Sequence, residues 1–132
     1  MIIERNTTNK LIFTGSEKGV LINPYYLIEL IKEDSKNTYY CIGVDVSTNP
    51  TVYNQCDVIE VGNSNSNPLI SELKLTNGFY TINFYEQASN TNLNPAGLTK
   101  VESKKLRVID VNVINPTQEY NNTNTTTYVY NG

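Results

Sequence analysis

With no histidine among its 132 residues, this chain lacks Ser–His and Cys–His nucleophile pairs outright. Its two thiols, Cys41 and Cys56, are too few to hold zinc without imidazole partners. Paired-carboxylate and lysine chemistry remain. The 13 acidic residues are scattered singly along the chain, and no acid–base pair can be read from their spacing. The chain therefore reads as a non-enzyme, with no metal and no cofactor. The cysteines read as two small buried hydrophobes on neighbouring strands, a disulfide being the alternative.

A stretch that could make contacts instead is "FYEQASNTNLNPAGL", Phe84 to Leu98. Its central 12 or so residues make a long connection for a hairpin, and long connections are more often functional. Three readings are open: a contact surface for another protein, a small-molecule site, or a plain connection whose Asn, Ser and Pro hydrogen-bond to themselves. Asn90, Asn92, Leu93 and Asn94 are the residues it would present. The ten tyrosines suit an interface, because Tyr brings large area and a polar tip at little entropic cost. At least half of them are expected to pack the interior. Tyr53, Tyr120, Tyr128 and Tyr130 lie outside the clear strands and are the candidates for exposure.

The elements that would position these groups are strands. All five prolines follow an asparagine, as in Asn23-Pro24 and Asn94-Pro95. Proline lacks a backbone donor and pushes its predecessor out of the α region, so each pair marks a break or a strand edge. Between the breaks, apolar residues alternate with period two. "KLIFTG" (Lys10–Gly15) is a short strand, and "YYLIELIKED" (Tyr25–Asp34) turns at "DSKN" into "TYYCIGVDV" (Thr38–Val46). On the latter, Tyr40, Ile42, Val44 and Val46 share a face. "CDVIEV" (Cys56–Val61) follows. A hairpin is expected around Asn77-Gly78, the favoured pair for a type I′ turn. Leu69, Leu73 and Leu75 would line one arm, and Tyr80, Ile82 and Phe84 the other. In "VESKKLRVIDVNVI" (Val101–Ile114) the apolar phase shifts between Val108 and Ile109, which predicts a β-bulge. The charges from Glu102 to Arg107 predict a solvated edge protected against strand pairing. Tyr26, Leu27, Leu30 and Ile31 also fit a helical stripe, but Pro24 and the β-branched neighbours favour a strand.

These strands predict an all-β fold, a single antiparallel β-sandwich of immunoglobulin-like kind, with a small barrel as alternative. The sandwich would span 1–114. Residues 115–132 are Asn/Thr-rich and nearly uncharged, too poor in apolar surface to fold alone. They read either as a frayed tail or as an extended arm whose Tyr128, Val129 and Tyr130 add a strand to a neighbouring chain. A net charge of −3 gives no footprint for nucleic acid, and no segment suits a membrane. The N-terminus "MIIERNTTNK" has no apolar run of signal-peptide kind. Sequons at Asn6, Asn121 and Asn124 are expected by chance in such a composition.

Three stretches carry a family likeness: "NTTNKLIFTGSEK", "NPYYLIEL" and "NPLISELKLTNGFYTINFYEQASNTNLNPAGLTKVE". Together they resemble small structural proteins of tailed phages that infect Bacteroidetes, the crAss-like phages included. In that group an Asn/Thr-rich strand precedes an "NPYYLF"-like strand. A "GFYxYxIYEQ" strand then leads into an "SSTNLNPA" loop and a Val-rich last strand. The likeness runs from about Asn6 to Val111, and "YEQASNTNLNPA" is its most distinctive part. The charged "TKVESKKLR" segment and the Tyr-rich C-terminal residues depart from the pattern. The resemblance implies a virion component assembled in the host bacterial cytoplasm. Its partners would be the major capsid protein or other virion proteins, with self-association possible. An auxiliary decoration protein on the capsid lattice leads; a tail, baseplate or head-fibre adaptor is the alternative, and a carbohydrate-binding module the third reading.

Overall fold

The computed structural model describes residues 1–15, 21, 24–47 and 53–110. The pleat of a strand sends successive side chains to opposite faces, and burial along the chain follows that period. The strands are β1 (Ile2–Glu4), β2 (Thr8–Phe13), β3 (Tyr25–Lys32), β4 (Thr38–Val44), β5 (Asn54–Glu60), β6 (Glu72–Leu73), β7 (Gly78–Gln87) and β8 (Thr99–Ile109), with a 3₁₀ turn at Pro68–Ile70. They make a five-stranded sheet, β1-β8-β7-β3-β4, and a three-stranded sheet, β2-β5-β6. The β8-β7-β3-β4 run reproduces the G-F-C-C′ order of a variable-type immunoglobulin sheet, and β2-β5 its B–E pair. The expected all-β sandwich is therefore present. Most pairs are antiparallel, but β1 runs parallel to β8 and β6 parallel to β5. Side-chain alternation carries no information on strand direction, so the sequence could not report these two.

One core lies between the sheets. Leu11, Phe13, Cys56 and Val58 from the smaller sheet meet Tyr26, Ile28, Leu30, Ile82 and Phe84 from the larger. Phe13 stacks on Phe84 with centroids 4.0 Å apart and meets the edge of Tyr26 at 4.8 Å. Deleting such a buried ring costs about 3–5 kcal/mol. Cys41 and Cys56 are buried and unpaired, as small hydrophobes should be, but they sit in opposite sheets. The backbones come close here: a Cβ on Gly43 would stand 2.8 Å from Ile28 Cδ1 and 3.0 Å from Cys56 Sγ.

Polar groups hold the corners. Glu60, at the end of β5, is 1% exposed and accepts from the backbone N–H groups of Asn6 (2.8 Å), Gly62 (2.7 Å) and Leu75 (2.7 Å). It thereby ties the β1–β2 turn to both ends of the β5–β6 region. Asp45 ties the end of β4 to the start of β5 through the Ser47 hydroxyl (2.6 Å) and Asn54 Nδ2 (2.6 Å). Burial alone would raise its pKa, but bonds from Ser47, Asn54 and Gln55 outweigh that and hold the carboxyl below its ordinary value. The third corner belongs to Tyr80, near the start of β7. Its buried hydroxyl donates to Thr76 O (2.7 Å) and accepts from Thr76 N (3.2 Å). This is the tyrosine corner of immunoglobulin sandwiches, where the F strand begins.

Three expectations are corrected. The Asn77-Gly78 hairpin is absent: β6 pairs with β5 in the small sheet, while β7 pairs with β3 and β8 in the large one. Gly78 has φ +146° and Asn77 is not among the positive-φ residues, whereas a type I′ turn needs both. The pair carries the chain from one sheet to the other, and the Tyr80 corner fixes that crossing. Leu69 is exposed accordingly, while Leu73 and Leu75 are buried. On β4, Tyr40, Ile42 and Val44 do share a face, but the core takes the other one, through Cys41 and Gly43. Lastly, the bulge lies at Val101, where the register steps from Phe84↔Glu102 to Tyr85↔Lys100, not at Val108. The charges on β8 fit the expected edge: β1 covers β8 only from Arg107 to Ile109. Glu102 does more, accepting from Thr14 N and Oγ1 (2.6 and 2.8 Å) at the end of β2.

Tyr80→Phe removes the hydroxyl that both bonds of the corner to the Thr76 backbone depend on. It should cost about 1 kcal/mol, read as a lower denaturant midpoint with an unchanged slope. Burial pushes Cys41 up to about 12 and raises Cys56 as well, with the Asp45 charge adding to the latter. Neither thiol should react with a disulfide reagent at pH 8 in the native protein, and both should react in denaturant.

Candidate functional site

The odd-numbered positions of β3 and β7 cannot enter the core, because the even ones fill it. They form the outer face of the five-stranded sheet, in rows fixed by the register. One row is Tyr40, Glu29, Asn83 and Ser103; the next is Ile42, Leu27, Tyr85 and Lys100; the third is Val44, Tyr25 and Gln87. Tyr25, Tyr40 and Tyr85 are half-buried there, and Leu27 and Ile42 fully so. The face is thus amphipathic.

Glu29 organises it. The carboxylate is 7% exposed, and its Oε1 accepts from Asn83 Nδ2 (2.8 Å) and from the Tyr85 hydroxyl (3.2 Å). The Tyr40 hydroxyl lies on the other side, close enough for the carboxylate to act on its titration. Phenols from the strands on either side of β3 therefore face one carboxylate. The pKa of Tyr40 is raised by burial first, then by the Glu29 bond and charge; that of Tyr85 by burial, then the Glu29 charge and bond. Both remain donors through the physiological range. Lys100 Nζ stands 5.9 Å from the Tyr85 ring centroid, within cation–π range.

The 88–98 loop begins where this face ends. Gln87 is 3% exposed; its Nε2 donates to Asn92 O (3.1 Å), and Asn92 Nδ2 donates back to Gln87 Oε1 (2.9 Å). Asn92 also bonds Asn94 O and Asn94 N, and Asn94 Oδ1 accepts from Ala96 N. Ser89 Oγ accepts from Thr91 N and Asn92 N. The loop is held by its own side chains. Asn92 anchors the loop and is half-buried; Asn90 and Asn94 are exposed and Leu93 half-buried. A cleft of about 220 Å³ between Leu21, Glu86, Gln87, Gly97 and Leu98 undercuts it.

Tyr53 is half-buried just ahead of β5. It belongs to the other sheet, but to the same end of the sandwich, since Asp45 pairs with Cys56 just beyond the Val44–Tyr25–Gln87 row. Tyr120, Tyr128, Val129 and Tyr130, and the arm they belong to, lie outside the described residues. So does the boundary expected at 114. Tyr25, Tyr40, Tyr85, Glu29 and Asn83 went unnoticed in the sequence. The signal was available: an acid and an amide in the middle of two otherwise apolar central strands.

Among the described residues no three His, Cys, Asp or Glu side chains gather as a metal site. Glu29 and Glu60 are both occupied by hydrogen-bond donors. Comparison with protein-family models, curated proteins and solved structures gave no match.

Raised tyrosine pKa values have a stability consequence with a definite sign. A group whose folded pKa exceeds its unfolded value binds protons more tightly when folded. Its contribution is complete below the ordinary value of 10.0 and is lost as pH rises through the folded pKa. Stability should therefore decline above pH 10, and Tyr40→Phe with Tyr85→Phe should flatten that decline. Denaturant titrations across the alkaline range would measure both.

Proposed function

We propose that this chain is a non-enzymatic structural protein of a phage virion. Its work is that of an auxiliary decoration protein, which binds the major capsid protein lattice and stabilises the shell. Many weak contacts repeated over a lattice hold firmly without any one being strong. The observation that carries the reading is the outer face of the five-stranded sheet. Half-buried Tyr40 and Tyr85, on the strands either side of β3, flank the Glu29 carboxylate there, and half-buried Tyr25 lies two rows along, next to a loop stiffened by its own hydrogen bonds. A rigid, Tyr-rich, amphipathic surface is what a protein–protein contact uses. A stiff loop loses little entropy on docking. The resemblance of "YEQASNTNLNPA" to crAss-like phage structural proteins supplies the context, and that same stretch leads from this face into the loop.

The test uses shells of the major capsid protein from the phage that encodes this chain. Purified chain should sediment with them. Tyr25→Glu and Lys100→Glu, at side chains outside the core, should each weaken sedimentation by about tenfold, as loss of a central contact does. Failure of the wild-type chain to sediment with shells would contradict the proposal.

A further inference from the structure

The outer face holds a charge that nothing in the chain balances. Glu29 is buried, and both of its hydrogen-bond partners are neutral: Asn83 Nδ2 and the Tyr85 hydroxyl, with the neutral Tyr40 phenol beside it. The ion pairs of the described residues engage Glu33, Asp34, Glu60, Glu102 and Asp110, and none engages Glu29. Beside it, Asn83 is 4% exposed, and its Oδ1 is buried without a hydrogen-bond partner. The amide cannot turn over to cure this. Its Nδ2 is committed to Glu29 at 2.8 Å, and a flip would set the carbonyl against the carboxylate. Buried acceptors are ordinarily satisfied, so a group left open calls for an explanation.

We propose that Glu29, Asn83 Oδ1 and the surrounding tyrosine rings form a socket for an arginine side chain of a partner protein. This rests on reading the chain as a contact protein. Every open valence here is an acceptor, so the ligand must be a donor, and an uncompensated carboxylate calls for a cation. Arginine fits both demands. Its planar fork carries five N–H donors, enough to bond the carboxylate and the neighbouring amide oxygen together. The guanidinium also stacks on aromatic faces, and Lys100 over Tyr85 shows that this ring already accepts a cation. Arginine is moreover enriched at interface hot spots alongside Tyr. A lysine, a point charge on a flexible stem, would satisfy the carboxylate but has no fork to span both acceptors.

The isolated chain can be titrated with N-acetyl-arginine methylamide while the Asn83 side-chain amide and the Tyr40 and Tyr85 ring signals are followed by NMR. Saturable shifts at all three groups are expected. The neutral citrulline analogue should bind at least about tenfold more weakly, since the charge-assisted bonds are lost. Glu29→Gln should lose binding by a similar factor. Asn83→Leu, which keeps the volume and removes the orphan oxygen, should weaken it too and carries the test if Glu29→Gln does not fold. Absence of saturable shifts, equal shifts from citrulline, equal binding of the lysine analogue, or wild-type affinity in a folded variant would each overturn the assignment. Because the probe is a small molecule and the chain is alone, this outcome is separate from whether the chain sediments with shells.

Discussion

A pleated strand gives its successive side chains to opposite faces, and in β3 and β7 neither face is free to change. Their even positions, Tyr26, Ile28, Leu30, Tyr80, Ile82 and Phe84, fill the space between the sheets. Their odd positions, Tyr25, Leu27, Glu29, Asn83 and Tyr85, build the outer surface. A slip of one residue would put Glu29 and Asn83 into the core and the phenylalanine stack into water. Register is thus the constraint on which both the stability and the proposed contact surface depend. The two strands lie side by side in the sheet, so each fixes the register of the other.

Three corners hold that register. Glu60 collects backbone donors from three separate segments, Asp45 joins the last strand of one sheet to a strand of the other, and Tyr80 pins the crossing into β7. A carboxylate buried among backbone N–H groups is strongly bonded in its charged form. These acids act as struts, their oxygens committed to donors from separate segments. Glu29 differs from Glu60 in a telling way. Glu60 is met by backbone amides and lies near Arg5, whereas Glu29 is met only by side chains of its own face. A set of side-chain donors can rearrange around an arriving group more readily than backbone amides can.

Much of the fold was legible because half-buried strands announce themselves by alternation. "YYLIELIKED", "DSKN" and "TYYCIGVDV" gave a strand, a turn and a strand that the structure contains, and Tyr80, Ile82 and Phe84 share the core face as read. What alternation cannot tell is which of two apolar faces is inside: on β4 the core takes Cys41 and Gly43, not the more hydrophobic-looking Ile42 and Val44. Nor can local turn chemistry tell which sheet the next strand will join. Asn77-Gly78 has the residues of a hairpin turn, but Tyr80 and the partners waiting on β3 and β8 take the chain elsewhere. The self-bonded character of the 88–98 loop was foreseeable from its Asn and Ser content. The cluster on the outer face was not found, because Glu29 and Asn83 meet only through pairing of strands 54 residues apart.

The central claim, that this chain is a shell component, is tested most directly by counting it. On the proposed phage origin, quantitative mass spectrometry of purified particles gives its copy number relative to the major capsid protein. A lattice-binding protein should be present in fixed proportion to the capsid subunits, at a multiplicity the shell's symmetry allows. A handful of copies would place it at a tail or fibre position and contradict the decoration reading. Its absence from the particle would contradict the virion role altogether.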